Sequence, residues 1–533
     1  MTPTDTTLPA GSLLPLARRL TGAPDPLALY TRLTAEGTAT HTLLLESADA
    51  TTGAGERSLL VVRSALRIRC LGREVVVDAL TANGRALLPW LETRLADRAA
   101  ISRTGDRLSA HFAPDQGVVL DEAARSRAAS PLDVLRLLTT GVTLASRPAD
   151  VNHLVAGIFG YDLVDLFEPL PPPAEGAVTF PRYDFWLPEM VLVVDHLRNA
   201  TTVLALVAGG PGAATRYHDA VAAIAAGAAA AGAETGAETR RPPAPVPPGD
   251  PVVAVDLDDA EYAALVVRLK QHIHAGDVFQ IVPSRTFSLP CPRPLEAYGR
   301  LRRSNPSPYM FYVAAPDYTL FGASPETSVK VSGTPKTVLI RPIAGTVRRG
   351  RDGNGAIDAD LDARLEAALR TDTKEVAEHL MLVDLARNDV ARVSRPGTRR
   401  LSRLLAVERY AHVMHLVSEV VGELHPGLDA LHAYAASMNM GTLVGAPKVR
   451  AAQLLREAER GARGPYGGAI GYLTEAGDLD TAIVIRSALV RNGMAEVRAG
   501  AGIVLDSDPA GEARETRQKA AAVLRAIAGG EAA

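Results

Sequence analysis

Cysteine is scarce in this 533-residue chain. Cys70 and Cys291 lie far apart, outside any CxxC pair or Cys/His cluster, which argues against a structural zinc site and fits a reduced, cytoplasmic compartment. Long apolar runs are missing too. The Ala-rich stretch 219–233 is too short and too weakly hydrophobic to span a membrane, and MTPTDTTLPAGSLLPLARRL lacks the basic segment and apolar run of an export signal. A formal net charge of −3 provides no electrostatic footprint for nucleic acid. No GxGxxG follows a strand-like segment and no P-loop pattern occurs, so dinucleotide and P-loop readings fail. Lysine is short as well: six remain, and Lys374, Lys448 and Lys519 fall inside candidate site segments. A retained Lys marks either a site that wants a compact ammonium rather than a planar fork, or chance.

With 47% apolar and 22% charged residues, the chain has the composition of a soluble globular protein. Its length exceeds one ordinary core, so two domains are expected. Residues 1–207 form the first, mixed α/β domain. It has a loose Pro/Thr-rich lead-in over 1–30, strand-like HTLLLES and SLLVVRSALRIRCLGREVVVDAL with glycines at 53–55, a capped helix within 130–140, an apolar segment in 151–167 and strand again over 190–207. Residues 208–250 are an Ala/Gly/Pro-rich linker, an exposed helix up to about 233 and semi-rigid beyond it. Residues 251–533 form the second domain, with a helix stopping near Gly276, many short strands joined by tight turns, and helices before and after a closing set of strands. This pattern predicts an α+β fold of large antiparallel sheets flanked by helices.

The stretch TDTKEVAEHLMLVDLARND, residues 371–389, reads as a helix with Thr371 or Asp372 as N-cap and Val376, Leu380 and Val383 as its apolar positions. Glu375 and Glu378 then sit one turn apart, with Lys374 and His379 beside them. The C-terminal GEARETRQKAAAVLRAI, residues 511–527, repeats the device with Glu512, Glu515 and Lys519. Facing each other, two such helices would place four carboxylates around one cavity and suit a divalent ion. The plainer reading is a solvated helix face in which Glu515 and Lys519 make an i, i+4 ion pair.

Other residues stand out singly. Gly500 and Gly502 in RAGAGIVLDSDP let the backbone approach an anion, or simply form a tight turn. Arg486, on the otherwise apolar IVIRSALV, needs an anionic partner. Glu326 in GASPETSVK and one of His412 and His415 in YAHVMHL are acid–base candidates. Thr442 and Lys448 flank a glycine turn in MNMGTLVGAPKVR.

FGASPE, RPIAGT, TDTKEVAEHLMLVDLARND, MNMGTLVGAPKVRA, GPYGGAIGY, LDTAIVIRSALV and AGAGIVLDSDPAGEARET occur in this order. Together they resemble the chorismate-utilising enzymes, and within them the anthranilate synthase component I branch, from Thr42 to Ala528. The resemblance implies two interleaved domains and a Mg²⁺ held by Glu378 and Glu515, bridging to the ring carboxylate of chorismate, with Glu375 and Glu512 nearby. It implies substrate contacts from Gly345, Thr346, Tyr466, Arg486, Gly500, Ala501, Gly502 and Lys519, which suit a dianion. Ammonia would add at C2 as the C4 hydroxyl leaves, with Glu326 as the acid. His415 would then remove the C2 proton as pyruvate is eliminated, with Thr442 nearby. Gln280 stands where isochorismate- and salicylate-forming relatives carry a Lys base, and Ala344 where aminodeoxychorismate synthases carry a Lys nucleophile. Both differences favour anthranilate, the first step of tryptophan biosynthesis.

No nucleophilic Cys in a Gly-rich elbow is present, so ammonia is expected from a separate glutamine amidotransferase subunit, component II, in a heterotetramer. Glu46 and Ser47 in LLLES, Arg57, and Pro308, Tyr309 and Met310 in NPSPYM resemble a regulatory site for L-tryptophan as feedback inhibitor. Arg57 stands where related bacterial sequences have Lys, and Ala482 replaces a small thiol side chain. Taken alone, NPSPYM reads equally as a turn into a strand. Two other activities stay open: a synthase that stops at 2-amino-2-deoxyisochorismate, and a non-catalytic tryptophan-binding regulatory protein. Whether the product serves tryptophan or a specialised pathway is not legible in the sequence.

Overall fold

The computed structural model describes residues 8–47, 57–114, 128–146, 153–172, 180–233, 253–353, 355–410 and 413–529. The glycines at 53–55, the Pro-rich part of the 208–250 stretch and His412 lie outside the described residues. Two long strands organise the molecule. Arg57–Leu71 and Tyr183–Asp195 pair antiparallel, and their register slips repeatedly between Val61 and Leu66, opposite Pro188 and Met190. Bulges bend a strand and increase its twist, and here they let both strands take part in two sheets.

The first sheet runs from Ser12–Thr21 through Ala200–Ala208, one half of each long strand, Thr42–Glu46, Tyr309–Ala314, Thr319–Ser324, Ser487–Arg491 and Met494–Gly500 to Ser284–Pro290. From the other half of Tyr183–Asp195 the second runs through Leu154–Phe159, Ala469–Thr474, Leu479–Ile483, Thr327–Ser332 and Thr337–Ile340 to Val413–Glu423, which also pairs with Ile343–Arg348 and Arg400–Arg409. Among the described residues 23 strands thereby join into one hydrogen-bonded system. The pairings along both runs are antiparallel, and segments from the two ends of the chain alternate within them: Met310 faces Glu46, and Gly471 faces Gly157. The expected class, large antiparallel sheets flanked by helices, is what the chain forms.

Alternation along the strands fills three apolar layers. In Tyr309–Ala314, Phe311 and Val313 point between the sheets into a layer with Leu43, Val61, Ile158, Trp186 and Ile470. Met310 and Tyr312 point outward into a layer with Tyr298 and Leu301 of Pro294–Ser304 and with Ala520 and Val523 of Pro509–Ala528. Outside the second sheet, Val329, Val331 and Val420 share a layer with Val383, Ala386 and Val390 of Thr373–Val393. The order is helix, sheet, sheet, helix, and the two long helices that carry the acidic pairs lie on opposite outer faces.

Three local expectations change. Within the expected lead-in over 1–30, the described residues from 8 onward are not loose, because Leu13–Thr21 pairs with Ala200–Ala208 and Asp25 caps Pro26–Leu33. Pro15, Arg18 and Arg19 masked the strand pattern, and they sit at a sheet edge, where such residues are tolerated. Ala213–Gly232 is a helix but not an exposed one: Ala220, Gly227 and Ala228 are buried, and a Cβ on Gly227 would strike Met190. Leu380 is 43% exposed, whereas His379 takes the inner position and meets Ser418 Oγ through Nε2 at 2.7 Å.

Where Leu154–Phe159 meets Ala469–Thr474, a Cβ on Gly471 would lie 2.0 Å from the Asp480 carbonyl oxygen. Gly471→Ala is expected to destabilise the protein by about 1–3 kcal/mol, read as a lower thermal midpoint. An unshifted midpoint would mean that the sheet has slack at this crossing.

Candidate active site

The two long helices converge through their first turns. Asp372 accepts hydrogen bonds from the backbone N–H groups of Lys374 and Glu375 at 2.9 and 3.0 Å, which fixes the start of Thr373–Val393. Asp508 does the same for Gly511 at 2.8 Å, with Pro509 in the first helical turn of Pro509–Ala528. Glu375, Glu378, Glu512 and Glu515 thereby all line one cavity of about 580 Å³. Helix N-termini carry partial positive charge, which favours anions there.

Burial raises the pKa of Glu375, Glu378 and Glu512, and neighbouring carboxylates raise it further: Asp372 and Glu515 act on Glu375, Glu375 and Glu515 on Glu378, and Glu515 on Glu512. Gln280 Nε2 donates to Glu378 Oε1 at 2.8 Å, and Lys519 Nζ lies 2.6 Å from Glu515 Oε1 while donating to the Gly500 carbonyl at 3.1 Å. The i, i+4 ion pair and the cavity wall are therefore one feature. Among the described residues, no group of three or more His, Cys, Asp or Glu side chains is placed to hold a metal by itself. Carboxylates on two facing helices suit an ion that takes few protein ligands and completes its shell with water or substrate oxygens, as Mg²⁺ does. Gly345, at φ +74°, and Gly502 leave the space this needs: a Cβ would lie 3.2 Å from Glu375 Oε2 at the first and 3.6 Å from Glu378 Oε1 at the second.

Glu326 and His415 face the same cavity. Burial lifts Glu326 to about 8, opposed by the Thr442 hydroxyl, which meets its Oε1 at 3.1 Å, and by Lys519. Burial pushes His415 down to about 4. Its Nδ1 lies 3.0 Å from Thr346 Oγ1 and 3.3 Å from the Gly345 carbonyl. A carbonyl only accepts, so Nδ1 carries the proton and Nε2 keeps its lone pair. Near neutrality the cavity therefore holds a protonated carboxyl group and an unprotonated imidazole. Thr442, expected beside the His, instead serves the Glu; Thr346 stands by the His.

Arg486 lines the cavity with φ +50°, a conformation that side chains rarely adopt and that concentrates at functional sites. Burial lowers its pKa, and among the described residues no carboxylate forms an ion pair with it. Tyr466, Gly500, Gly502 and Lys519 also line the cavity, whereas Ala501 does not: it is fully buried and its N–H is spent on the Pro283 carbonyl at 3.3 Å. Sequence reasoning missed Arg498 and its support. Glu459, buried, accepts from Ser284 at 2.8 Å, Arg463 at 2.7 Å and Arg498 at 2.8 Å, and both guanidinium groups lie near the Tyr466 ring. No motif in the sequence links Glu459 to Arg463 and Arg498, so no local signal announced them.

A second cavity, of about 590 Å³, lies between the sheets and is lined by Glu46, Ser47, Arg57, Pro308, Tyr309 and Met310 together with Ala482. Glu46 is ion-paired with Arg302 at 2.9 Å and hydrogen-bonded to Tyr298, and Arg57 lies 3.4 Å from Asp195. Ser47 Oγ has no hydrogen-bond partner among the described residues. Cys70 and Cys291 are buried free thiols, and among the described residues no helix is long and apolar enough to cross a membrane.

This chain belongs to the chorismate binding enzyme family, whose signature matches residues 96–525. It is 53% identical over 492 residues to "anthranilate synthase component 1, pyocyanine specific" of Pseudomonas aeruginosa, covering 92% of this chain and 90% of that protein. It is 48% identical over 512 residues to anthranilate synthase component 1 of Escherichia coli, covering 95% of each. The crystal structure of anthranilate synthase component I from Streptococcus pneumoniae superposes with a TM-score of 0.65 at 28% identity, over 88% of this chain and 92% of that one. A menaquinone-specific isochorismate synthase from Escherichia coli shares the fold at a TM-score of 0.63 and 17% identity, over 98% and 96%.

The protonation of Glu326 is open to direct test. Because its pKa is about 8 folded against 4.5 unperturbed, the unfolded chain sheds the proton first, and wild-type stability is eroded progressively as pH rises between those values. Glu326→Gln is therefore expected to gain in thermal midpoint over wild type across that window and to hold the gain above it. A difference independent of pH would show that Glu326 ionises normally.

Proposed function

We propose that the chain is the large, chorismate-using subunit of an anthranilate synthase, converting chorismate and ammonia into anthranilate, pyruvate and water. The observation that carries this reading is that Glu326 and His415 face one cavity, where burial raises the pKa of the first and lowers that of the second. Arg486, half-buried and in no ion pair with a carboxylate among the described residues, is the natural partner for a substrate carboxylate. Glu378 and Glu515 would hold a Mg²⁺, which would supply positive charge against the ring carboxylate of the substrate.

Ammonia attacks C2 with its lone pair, both ring double bonds move round by one position, the C4–O bond breaks and the added nitrogen gives up a proton. Glu326 gives its proton to the departing oxygen, which leaves as water. His415 Nε2 then takes the C2 proton; the C–H electron pair becomes the last ring double bond as the C3–O bond breaks, and the enolpyruvyl group leaves and takes up a proton as pyruvate. Glu326 and His415 suit these roles because each is held in the form that its step consumes. Gln280, tied to Glu378, provides no base to activate water, and Ala344 provides no amine nucleophile, which favours amination over the sister reactions.

A glutamine amidotransferase subunit, component II, supplies the ammonia in a heterotetramer. L-Tryptophan acts as feedback inhibitor in the second cavity, whose apolar lining residues suit an indole and whose Ser47 hydroxyl has no hydrogen-bond partner among the described residues. Such inhibition favours the first step of tryptophan biosynthesis over a specialised route.

Purified protein given chorismate, Mg²⁺ and ammonium is expected to form fluorescent anthranilate and pyruvate in equal amounts and to lose both with a chelator. Chorismate left unconsumed would discard the reading. His415→Ala is expected to keep amination while pyruvate release falls about 10²- to 10⁴-fold; anthranilate formed at the wild-type rate would remove His415 from its role. Substitution of Ser47 is expected to weaken tryptophan inhibition, and an unaltered inhibition curve would discard that site.

A further inference from the structure

Arginine and lysine line the catalytic cavity at five positions, and their surroundings divide them into two groups. Arg486, Arg498 and Lys519 are half-buried and engaged: Arg498 with Glu459 at 2.8 Å, Lys519 with Glu515 at 2.6 Å, and Arg486 with the Lys519 carbonyl at 3.4 Å. Arg348 and Lys374 are exposed, and among the described residues neither makes an ion pair or a side-chain hydrogen bond.

Strand geometry sets Arg348 at the rim. In the pairing of Ile343–Arg348 with Val413–Glu423, Thr346 faces His415, and Arg348 faces Val413 in the last pair of the ladder. Side chains two apart share a face, and Val347 and Met414 between them turn the other way, into an apolar cluster with Leu369 and Val376. Arg348 therefore stands on the cavity face, about 7 Å along the strand from the pair that includes His415. Lys374 lies in the first turn of Thr373–Val393. Burial raises the pKa of Glu375 on that helix and of Glu512 on the facing one, and Lys374 opposes the rise at both, so its charge stands between the two acidic pairs.

A doubly negative substrate approaching this cavity meets the carboxylates Glu375, Glu378, Glu512 and Glu515, and like charges repel it. Exposed cations at the mouth offset that repulsion at a distance, before any contact forms. We propose that Arg348 and Lys374 form a cationic rim that gathers the dianion from solution and passes it to Arg486. The inference rests on the chorismate reading of the cavity and extends it to the start of binding. Attraction at the rim raises the local concentration of the dianion, so it enters kcat/KM whether or not encounter is the slow step. It leaves kcat alone, because the substrate has passed the rim when Glu326 and His415 act. The charges are in contact with solvent, so salt screens them over about 8 Å at physiological ionic strength.

The test compares full-length wild type with Arg348→Gln, Arg348→Lys, Arg348→Glu and Lys374→Gln. Anthranilate formation is followed with chorismate, Mg²⁺ and a fixed ammonium concentration, while sodium chloride is raised to about 0.5 M. At low salt, Arg348→Gln and Lys374→Gln are expected to lose about threefold in kcat/KM and Arg348→Glu about tenfold, while Arg348→Lys matches wild type. The Arg348 variants are expected to keep kcat within about twofold, and the differences in kcat/KM to close at high salt as wild type falls most steeply. An unchanged kcat/KM for Arg348→Gln, a loss that Arg348→Lys shares, a loss that falls on kcat, or one of the same size at high salt would overturn the rim. Chorismate left unconsumed by wild type would sink the chorismate reading and the rim with it. An active wild type beside an unaffected Arg348→Gln would overturn the rim alone.

Discussion

Withdrawal of water from one cavity is the constraint on which the other features depend. Burial disfavours charge whatever its sign, so the same surroundings keep Glu326 protonated and His415 unprotonated. An acid and a base near neutrality need those two forms, and one physical cause provides both. The cost of that burial falls on the groups that must stay charged. Among the described residues Arg486 forms no ion pair with a carboxylate, and the acidic pairs on the two helices repel each other across the cavity. Each is a demand that a doubly negative substrate with a divalent cation would meet at once, so the cavity is poorly satisfied alone and well matched when filled.

Only the sheets can hold that arrangement. The acidic pairs are far apart in sequence and ride on helices packed against opposite outer faces, while Glu326, His415 and Arg486 come from strand ends between them. Even Arg498 is held by proxy, through Glu459 and Ser284. The rigidity of a buried, fully hydrogen-bonded network suits this supporting role.

The sequence was most legible where chemistry is local. Glu375 with Glu378 and Glu512 with Glu515 are visible as helical spacings, and the short strands with tight turns announce antiparallel sheets. The roles of Glu326 and His415 came from motif resemblance, since one Glu and one of two His residues carry no periodic signal. What stayed hidden depends on distant partners. The first strand looked like a lead-in because Pro15 and two arginines break its pattern, although Ala200–Ala208 gives it a ladder. Leu380 looked like core because apolar identity was read without knowing that His379 would find Ser418. Ala501 looked like a ligand contact because it lies between two glycines that line the cavity. Glu459 could not be found at all, because its partners are a serine, a neighbouring turn and a strand end.

The two bulged strands, Arg57–Leu71 and Tyr183–Asp195, belong to both sheets at once. The sandwich therefore has no seam. Thr42–Glu46 closes against Tyr309–Ala314 and Leu154–Phe159 against Ala469–Thr474, so each half of the chain supplies the missing neighbour of the other. If the polypeptide were severed in the Pro-rich stretch after residue 233, each fragment would expose raw, hydrogen-bond-hungry borders. Such fragments would have to reassemble on one another to become soluble, and neither would stand as a module to be lent to another protein.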